Sequence, residues 1–452
     1  MTDWRTLAAA LADQLTAAGK LRSPEWQAAF RAVPRHELVP VHYTIDPHTA
    51  QWYAQDTADD LVRVYSNTAL FVLGGGLSST SMPSLMTRML ETLDIRAGHR
   101  VLEIGTGTGY NAALLSHRLG SHNVYSVDIE AALIELARER LAHIGYRPTL
   151  VATDGAHGLP QHAPYDRIIA TCSVPMIPWA WVQQTREEGL ILVDVKIGKQ
   201  AGNLVLLHKR DQQAEGRFDP TYGSFMGIRR DGDSYEQPRP ASVSQGRDSA
   251  HERTTTLDLT RPWEHTAFWF FAHTALPPGT SFSLRGDGSD QPPRNTVLHA
   301  PDGSWYEVRE DSDNGLRQVW EAGPHSLWRI IEATHTAWIH HGKPGWERFR
   351  VTVTPDRQSS WLDTQRSPNL AAALTTATAR VNRRSRPPPR SRFSIAGRAA
   401  RHRSPWWSPG RPRRAAHHVL RRPHPRRTSR RETFECARRQ SGSHRPRPAL
   451  ER

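Results

Sequence analysis

The stretch VLEIGTGTGYNAALL, residues 101–115, places three glycines at alternate positions between two apolar runs. The glycines allow a tight turn whose backbone amides can approach a ligand, and the run after them has helical spacing. A strand, a glycine turn and a helix in this order predict a site for a nucleotide-like ligand. The candidate ligand-binding residues of the turn are Glu103, Gly105, Thr106, Gly107, Gly109 and Tyr110.

Two classes of ligand fit such a turn. The pattern G-x-G-x-x-A that starts at Gly107 satisfies a loose dinucleotide fingerprint, and Asp128 follows at the distance expected of a ribose-binding acid. A dinucleotide enzyme also needs a second mononucleotide-binding half, and we find none in this sequence. An acid before the glycines, Asp128 after the next strand and Asp154-Gly155 after the third favour S-adenosylmethionine as the cofactor.

A row of four hydroxyl side chains precedes a helical run in GLSSTSMPSLMTRML, residues 76–90. One interpretation is that a hydroxyl caps the helix, and the other is that the row faces a substrate. Thr80 and Ser81 are the candidates for substrate contact. Thr171, at the end of the fourth predicted strand, is a third candidate, and its neighbour Cys172 is interpreted first as a small buried filler.

A parallel sheet would bring these residues together. Between residues 84 and 210, helical stretches alternate with short apolar runs, which predicts a doubly wound α/β sheet. The runs are RVLEI (100–104), NVYSVD (123–128), PTLVA (148–152), DRIIAT (166–171) and LILVDV (190–195). The sequence NLVLLHK (203–209) predicts a further strand as half of an antiparallel edge pair. The candidate residues are then expected where the carboxyl ends of the parallel strands meet.

Composition divides the rest of the chain. We predict a helical segment over 1–75, a Rossmann-like α/β domain over 76–228 and a polar, turn-rich linker over 229–260. Residues 261–365, where aromatic and polar residues alternate, predict a small, mainly β module. Residues 366–452 are rich in Arg and Pro, lack hydrophobic periodicity and predict a disordered tail.

The net charge of +14 comes from the tail. Residues 366–452 contain 24 Arg, no Lys, three Glu and no Asp, or +21, so residues 1–365 carry 14 − 21 = −7. A nucleic-acid partner is therefore not expected for the folded part. Three interpretations of the tail are open: an inert extension, a basic arm for nucleic acid, or an out-of-frame translation of GC-rich coding sequence. Its composition favours the third.

Cysteine usage and hydropathy bear on the compartment. The two cysteines, Cys172 and Cys436, cannot form a disulfide framework, which favours a cytoplasmic protein. The N-terminal residues have amphipathic spacing with acids and do not resemble a signal peptide. No apolar run is long enough to span a membrane, and no His or Cys spacing is typical of a metal site. We expect neither a membrane partner nor a metal.

Residues 25–195 resemble the protein-L-isoaspartate O-methyltransferase family through a colinear series of motifs. These are VPRHELVP, VYSNTAL, SSTSMP, VLEIGTGTGYNAAL, VYSVDIE, ATDGAHGLP, APYDRIIATCSVPMIP and GLILVDV. The resemblance implies a class I S-adenosylmethionine methyltransferase that acts on an aspartyl-type carboxylate. The family's Ser-x-Pro element, here Ser81-Met82-Pro83, implies that Ser81 lies at the methyl-transfer centre.

The resemblance also implies a role for each part of the cofactor site. Asp128 would accept hydrogen bonds from the ribose hydroxyls, and Asp154 with the Gly155 backbone would contact the adenine edge. The turn at residues 105–109 would hold the methionine portion, with Glu103 shaping that pocket. The reaction itself needs no metal, because an aspartyl carboxylate is already ionised at neutral pH.

Residues 1–362 most resemble an actinobacterial subgroup encoded beside ATP-grasp peptide maturases. That resemblance implies a ribosomally made, cross-linked peptide as the substrate and an ATP-grasp ligase as a partner. The alternatives are isoaspartyl repair, nucleic-acid methylation and a non-catalytic binding module. The β module counts against repair, and the residues at 171–174 lack the Pro-Pro-aromatic motif of nucleic-acid amino methyltransferases.

We expect the tail to be dispensable. A variant that ends at Asp363 should fold and keep methyl transfer to its peptide substrate, because the tail cannot bury enough apolar surface to support the fold. Circular dichroism and a methyl-transfer assay on the full chain and the variant check this. Loss of transfer in a variant that still folds would assign the tail a role.

Overall fold

The computed structural model describes residues 3–46, 49–73, 78–230, 250–286 and 295–363, and the predicted tail at 366–452 lies outside them. The helices of the described residues are α1 (Trp4–Ala17), α2 (Pro24–Ala32), α3 (Arg35–Leu38), α4 (Leu61–Val64), α5 (Pro83–Thr92), α6 (Tyr110–Leu119), α7 (Ala131–His143), α8 (Trp179–Gln184), α9 (Thr266–His273) and α10 (Leu327–His340).

The strands of the described residues form three sheets. They are β1 (Val41–Ile45), β2 (Trp52–Asp56), β3 (Leu70–Leu73), β4 (Ser78–Thr80), β5 (Val101–Ile104), β6 (Val124–Asp128), β7 (Thr149–Ala152), β8 (Tyr165–Val174), β9 (Thr185–Gly198), β10 (Ala201–Arg210), β11 (Gln213–Phe218), β12 (His251–Thr255), β13 (Ser281–Arg285), β14 (Asn295–His299), β15 (Trp305–Arg309), β16 (Arg317–Ala322), β17 (Phe349–Val353) and β18 (Gln358–Leu362).

The largest sheet has the strand order β18-β17-β11-β10-β9-β8-β5-β6-β7. Strands β5 to β9 within it are parallel, which confirms the predicted α/β class and the five predicted parallel strands. Strand β10 is antiparallel to β9, as predicted, but it is not an edge strand, because β11 pairs with its other side. The fold is that of a class I S-adenosylmethionine methyltransferase.

Both faces of this sheet are covered, so its central strands are apolar at consecutive positions. In β9, Leu190 and Leu192 pack into a core with helices α1, α2, α5, α6 and α7. The alternate residues Ile191 and Val193 pack into a second core on the opposite face, which includes α8 and α9. This pattern explains why the parallel strands read as continuous apolar runs.

The prediction of a helical segment over 1–75 is incomplete, because this segment also contains strands. Its strands β1, β2 and β3 join β4 in an antiparallel sheet with the order β2-β1-β3-β4. Strand β1 alternates imperfectly between buried and partly exposed residues, and His42 is its one fully covered position. The short, polar strands at 41–56 gave too weak an alternation to be recognised from sequence.

The region predicted as linker and β module also differs from expectation. Residues 251–255 of the predicted linker form β12 in the sheet β12-β16-β15-β14-β13, and residues 231–249 lie outside the described residues. The runs TAFWFFAH and LWRIIEATHTAWIH are the helices α9 and α10, not strands. Their aromatic residues suggest strands, but each helix contributes side chains to two different cores, so it is apolar on more than one face.

The predicted module is not separate from the α/β sheet. Strand β17 pairs with β11, so β17 and β18 complete the large sheet. Phe218 of β11 packs against Phe270, Trp346 and Phe349, with ring centroids 4.9 to 6.2 Å away. No helix among the described residues is long and apolar enough to cross a membrane.

We expect the α/β domain and the predicted module at 261–365 to unfold as one unit. Phe349→Ala should lower the free energy of unfolding by about 3–5 kcal/mol, because Phe349 is 2% exposed within the shared aromatic cluster. Leu316→Ala, at a position 44% exposed, is the matched control and should change it by less than about 0.5 kcal/mol. Urea unfolding of the Phe349 variant in two separated transitions would show that the α/β domain and the module are independent.

Candidate functional site

The glycine turn after β5 has a backbone conformation that suits glycine. Gly105 and Gly107 have φ values of 98° and 52°, in the left-handed region. A Cβ atom on Gly105 would lie 2.7 Å from the Thr171 hydroxyl oxygen, so a larger residue would push the turn away from β8. The Gly107 amide donates to Asp128 Oδ2 at 2.9 Å, which fixes the turn to the end of β6.

Gly109, grouped with the ligand-binding residues on sequence, lies at a helix contact instead. It precedes α6, and a Cβ atom there would lie 3.1 Å from the Leu141 side chain of α7. Its small size therefore lets α6 and α7 approach each other. It is absent from the lining of the cleft described next.

A cleft lies at the carboxyl ends of β5, β6 and β8 and holds about 610 Å³, including its open mouth. Asp128 is on its wall, and its Oδ1 and Oδ2 accept the amides of Glu130 at 3.1 Å and Gly107 at 2.9 Å. Each carboxylate oxygen can accept a further hydrogen bond, as ribose hydroxyls would require. The apolar wall of the cleft is formed by Ile104, Val127, Ile129 and Ile228.

The Asp154-Gly155 pair is only partly in the cleft. Gly155 lines it, and the Gly155 carbonyl accepts a hydrogen bond from the Trp181 indole at 2.8 Å. Asp154 does not line the cleft, and its Oδ1 accepts the Ala156 amide at 2.8 Å. The Asp154 side chain therefore fixes the turn that presents Gly155.

A smaller cavity adjoins the cleft at Gly105 and Gly107. Glu103 lines it, is fully buried, and accepts hydrogen bonds from Asn111 Nδ2 at 2.7 Å and Ser126 Oγ at 2.6 Å. Burial raises the pKa of Glu103 to about 7, although these hydrogen bonds favour its ionised form. A cationic ligand group beside it would favour the ionised form further.

Thr106 and Tyr110 line the same smaller cavity. The Thr106 hydroxyl is 2.7 Å from the Ser126 hydroxyl and extends the hydrogen-bonded group around Glu103. Tyr110 is 4% exposed, and burial raises its pKa to about 12, so its hydroxyl is protonated at neutral pH. Both predicted residues are thus at the cavity.

Three residues of the hydroxyl row also line the smaller cavity. They are Ser79, Thr80 and Ser81, and none of their hydroxyls makes a hydrogen bond to another described residue. Unsatisfied hydroxyls in a cavity are donors and acceptors for a ligand. The structure therefore brings Ser81, Thr80 and the glycine turn together.

The capping interpretation of this row is wrong. Helix α5 begins at Pro83, and the residue before it, Met82, makes no side-chain capping bond. Asn67 Oδ1 accepts the Ser84 amide at 2.9 Å, so a residue distant in sequence satisfies that end of the helix.

A buried arginine contacts the backbone of the hydroxyl row. The Arg35 guanidinium is fully buried and donates to the carbonyls of Val64 at 2.8 Å, Thr68 at 3.1 Å and Ser81 at 3.3 Å. It also lies 5.4 Å from the centre of the Tyr110 ring. Sequence reasoning assigned no role to Arg35, although the motif VPRHELVP contains it.

Thr171 lines both cavities, but its hydroxyl is already used. It donates to the carbonyls of Gly105 at 2.8 Å and Ile104 at 3.1 Å, so it holds the glycine turn. The neighbouring Cys172 lines the cleft, and burial raises its thiol pKa to about 12. The thiol is therefore protonated and unreactive at neutral pH.

A segment that sequence reasoning missed forms one wall of the cleft. The residues are Met226, Gly227, Ile228 and Arg229. The Ser173 amide donates to the Met226 carbonyl at 2.7 Å, and the Ile228 amide donates to the Ser173 carbonyl at 2.8 Å. Arg229, predicted to lie in the linker, is 3.9 Å from the Asp128 carboxylate. The only sequence signal was the apolar run FMGI after the last strand of the domain.

No group of three or more His, Cys, Asp or Glu residues in the described part of the chain is arranged to hold a metal ion. The polar groups at the site are carboxylates, hydroxyls and backbone amides. This set of donors and acceptors fits a nucleoside with a charged amino-acid portion.

Comparison with known proteins gives a consistent family. The sequence model of the family described as protein-L-isoaspartate(D-aspartate) O-methyltransferase matches residues 6–220. Protein-L-isoaspartate O-methyltransferase 2 of Polaromonas is 34% identical over 183 residues, which are 40% of this chain and 77% of that protein. Its namesake in Pelobacter propionicus is 33% identical over 222 residues, or 48% and 86% of the two chains.

The solved structures that match the chain have lower sequence identity than these relatives. A protein-L-isoaspartate O-methyltransferase structure covers 77% of this chain and 97% of its own, with 24% identity and a TM-score of 0.46. A Plasmodium falciparum protein described by the same activity, in complex with S-adenosyl-L-homocysteine, covers 49% of this chain and 97% of its own. Its identity is 14% and its TM-score is 0.39.

We expect Asp128 to dominate binding of S-adenosylmethionine. Asp128→Ala removes carboxylate hydrogen bonds, each worth about 1.5–3 kcal/mol, and should weaken binding at least about tenfold. Calorimetry with S-adenosylmethionine measures this. Glu139→Gln is the control, because Glu139 is an exposed acid of α7 that does not line the cleft. Equal affinity in the wild type and the Asp128 variant would exclude this cleft as the cofactor site.

Proposed function

The chain belongs to the protein-L-isoaspartate O-methyltransferase family, and we propose that it methylates the free α-carboxylate of L-isoaspartyl residues in proteins or peptides. As a member of this family it depends on S-adenosylmethionine. The observation that carries the proposal is the row of free hydroxyls at Ser79, Thr80 and Ser81 beside the glycine turn. This row offers an incoming carboxylate several hydrogen-bond donors.

The cleft and the smaller cavity divide the work of holding the cofactor. Asp128 would accept hydrogen bonds from the ribose, and the apolar wall with the Gly155 backbone would enclose the adenine. Glu103 would stabilise the ammonium group of the methionine portion, since a nearby cation favours its ionised form. S-adenosylmethionine supplies an electrophilic methyl group bound to a sulfonium.

The chain's own residues act mainly by positioning the acceptor. The free carboxylate of an isoaspartyl residue has a pKa near 4, so it is a nucleophile at neutral pH without a general base. Ser81 and Thr80 would donate hydrogen bonds to one carboxylate oxygen and leave the other directed towards the methyl carbon. The transfer forms an oxygen–carbon bond and breaks the carbon–sulfur bond, whose electrons return to sulfur. Alignment and exclusion of water would supply the rate.

Thr171 and Arg35 support this geometry without touching the acceptor. Thr171 holds the glycine turn through two carbonyls, and Arg35 holds the Ser81 carbonyl. The predicted catalytic role of Thr171 thus becomes a positioning role in the proposal. Ser81 and Thr80 keep the substrate-contact role proposed from the sequence.

The ester product is more reactive than the original acid. The backbone N–H that follows the modified residue can attack the ester carbonyl and expel methanol, which gives a five-membered succinimide. In an isoaspartyl substrate, hydrolysis of this ring would restore some normal aspartyl linkages. Methylation by this chain would then be the first step of repair.

A narrower substrate is the second candidate. The sequence resemblance to systems with an ATP-grasp ligase suggests a cross-linked ribosomal peptide, and the sheet β12-β16-β15-β14-β13 is the feature that favours it. That sheet lies outside residues 6–220, where the family model matches. Methylation of a cross-linked acidic peptide, but of no linear isoaspartyl peptide, would favour this candidate. We propose the cytoplasm as the location of either reaction.

We expect Ser81→Ala to lower turnover of a short isoaspartyl peptide about tenfold or more. The lost hydrogen bond to a charged acceptor is worth about 1.5–3 kcal/mol, and it strengthens as the reacting groups align. Affinity for S-adenosylmethionine should remain unchanged. Steady-state kinetics and calorimetry separate the two effects.

Ser84→Ala is the matched control, because Ser84 lies in the first turn of α5 and does not line either cavity. The wild type should add one methyl group to the isoaspartyl peptide and none to the same peptide with a normal aspartate, as mass spectrometry will show. Equal methylation of the two peptides would refute isoaspartyl specificity.

A further inference from the structure

A second groove lies away from the cofactor cleft and holds about 970 Å³, including its open mouth. It is bounded by the turn after α1, the C-terminal half of α5 and the strands β9, β10 and β11. Its floor is apolar and includes Leu192 and Leu206. The family resemblance and the proposed reaction assign no role to this groove.

The groove has more positive than negative charge. Its lining contains four cations, Lys20, Arg22, Arg88 and Arg217, and two acids, Glu91 and Asp219. The formal sum is 4 − 2 = +2, whereas residues 1–365 together carry −7. The groove is thus a local exception on an acidic body.

Both acids of the groove are engaged by neighbouring groups. Glu91 accepts the amides of Arg22 at 2.7 Å and Ser23 at 2.8 Å, and also the Ser23 hydroxyl at 2.9 Å. Asp219 accepts the Thr221 amide at 2.8 Å and lies 3.7 Å from Arg88. These acids hold the walls of the groove in place.

Three of the four cations have no such partner. Within the described residues, no carboxylate lies at ion-pair distance from the side chains of Lys20, Arg22 or Arg217. The turn at Gly19, with φ of 67°, ends α1 and places Lys20 and Arg22 on one rim. Arg217 on β11 supplies a cation from the sheet.

We propose that this groove binds an acidic stretch of the polypeptide that the enzyme methylates. The inference rests on the proposed function, because it assumes that the acceptor carboxylate belongs to a polypeptide. Unpaired cations suit carboxylate side chains, and the apolar floor suits the side chains between them. The two acids on the wall disfavour a continuous phosphate backbone.

The position of α5 sets the spacing between the acidic stretch and the modified residue. Ser81 lies two residues before α5, and Arg88 and Glu91 lie seven and ten residues beyond Ser81. At 1.5 Å per helical residue, this separation is about 10–15 Å along the axis, which about three to five extended residues span. The acidic residues should therefore begin about three to five residues from the methylated one.

Binding can be measured without catalysis. The probe is a fluorescein-labelled peptide with alternating Glu and Leu, titrated with the full chain at low salt and followed by anisotropy. The groove variant K20Q/R22Q/R217Q should bind it at least about fivefold more weakly, since each exposed ion pair contributes modestly. The control R147Q/R309Q/K343Q removes the same charge at exposed positions outside the groove and should bind within about twofold of the wild type.

Equal loss in both triple variants would overturn the proposal, because it would reduce the effect to net charge. Equal binding of a single-stranded oligonucleotide at the groove would also overturn it. Absence of peptide binding to the wild type at low salt has the same consequence. Selective loss in the groove variant, with affinity for S-adenosylmethionine unchanged, supports it.

Kinetics then separate this proposal from the proposed function. An isoaspartyl peptide with glutamates three to five residues away should have a KM at least about threefold below that of its glutamine counterpart, and the groove variant should abolish the difference. Methylation of both peptides with equal KM would refute the groove and leave the function intact. Peptide binding in the groove without methylation would refute the function and leave the groove intact.

Discussion

The hydrogen bond from the Gly107 amide to the Asp128 carboxylate joins the two strands on which the cofactor cleft depends. Through it, the turn after β5 is fixed to the end of β6, while Asp128 also accepts the Glu130 amide at the start of the next helix. One carboxylate therefore organises the turn and remains available to a ligand. The absence of a side chain at Gly105 completes the arrangement, because it allows the close approach of Thr171 from β8.

A second constraint is the buried Arg35, which positions the hydroxyl row where the carboxylate acceptor would bind. Arg35 is a fully buried cation, and its hydrogen bonds go to backbone carbonyls, including that of Ser81. Burial of a charge is unfavourable unless polar partners compensate it, so the packing of the N-terminal segment and the position of the hydroxyl row depend on each other. This dependence explains why the N-terminal helices and the small sheet belong to the methyltransferase fold.

Local sequence patterns predicted the parallel strands and the glycine turn. The strands of the parallel sheet read as apolar runs because both of their faces are buried, and the glycine turn carries its own conformational signature. The aromatic runs at α9 and α10 were misread as strands, because residues that face two different cores leave little polar periodicity. The pairing of β17 with β11 is a contact between distant residues that no local pattern records.

The residues of the candidate site also fall into those that local patterns predicted and those that depend on distant contacts. Asp128, Glu103 and Ser81 lie on or beside the elements that local patterns predicted, and they meet at one edge of the sheet. Gly109 and Asp154 have the expected spacing but hold helix and turn geometry instead. The wall at residues 226–229 and the buried Arg35 could not be predicted, because their roles arise from contacts made across the fold.

The proposed reaction requires an isoaspartyl carboxylate to bind the hydroxyl row beside a cofactor held by Asp128. A crystal structure with S-adenosyl-L-homocysteine and an isoaspartyl peptide tests it most directly. We expect the isoaspartyl carboxylate within hydrogen-bond distance of Ser81 or Thr80, with one oxygen facing the sulfur of the cofactor product. A carboxylate bound elsewhere, with the hydroxyls of residues 79–81 in contact only with solvent, would contradict it.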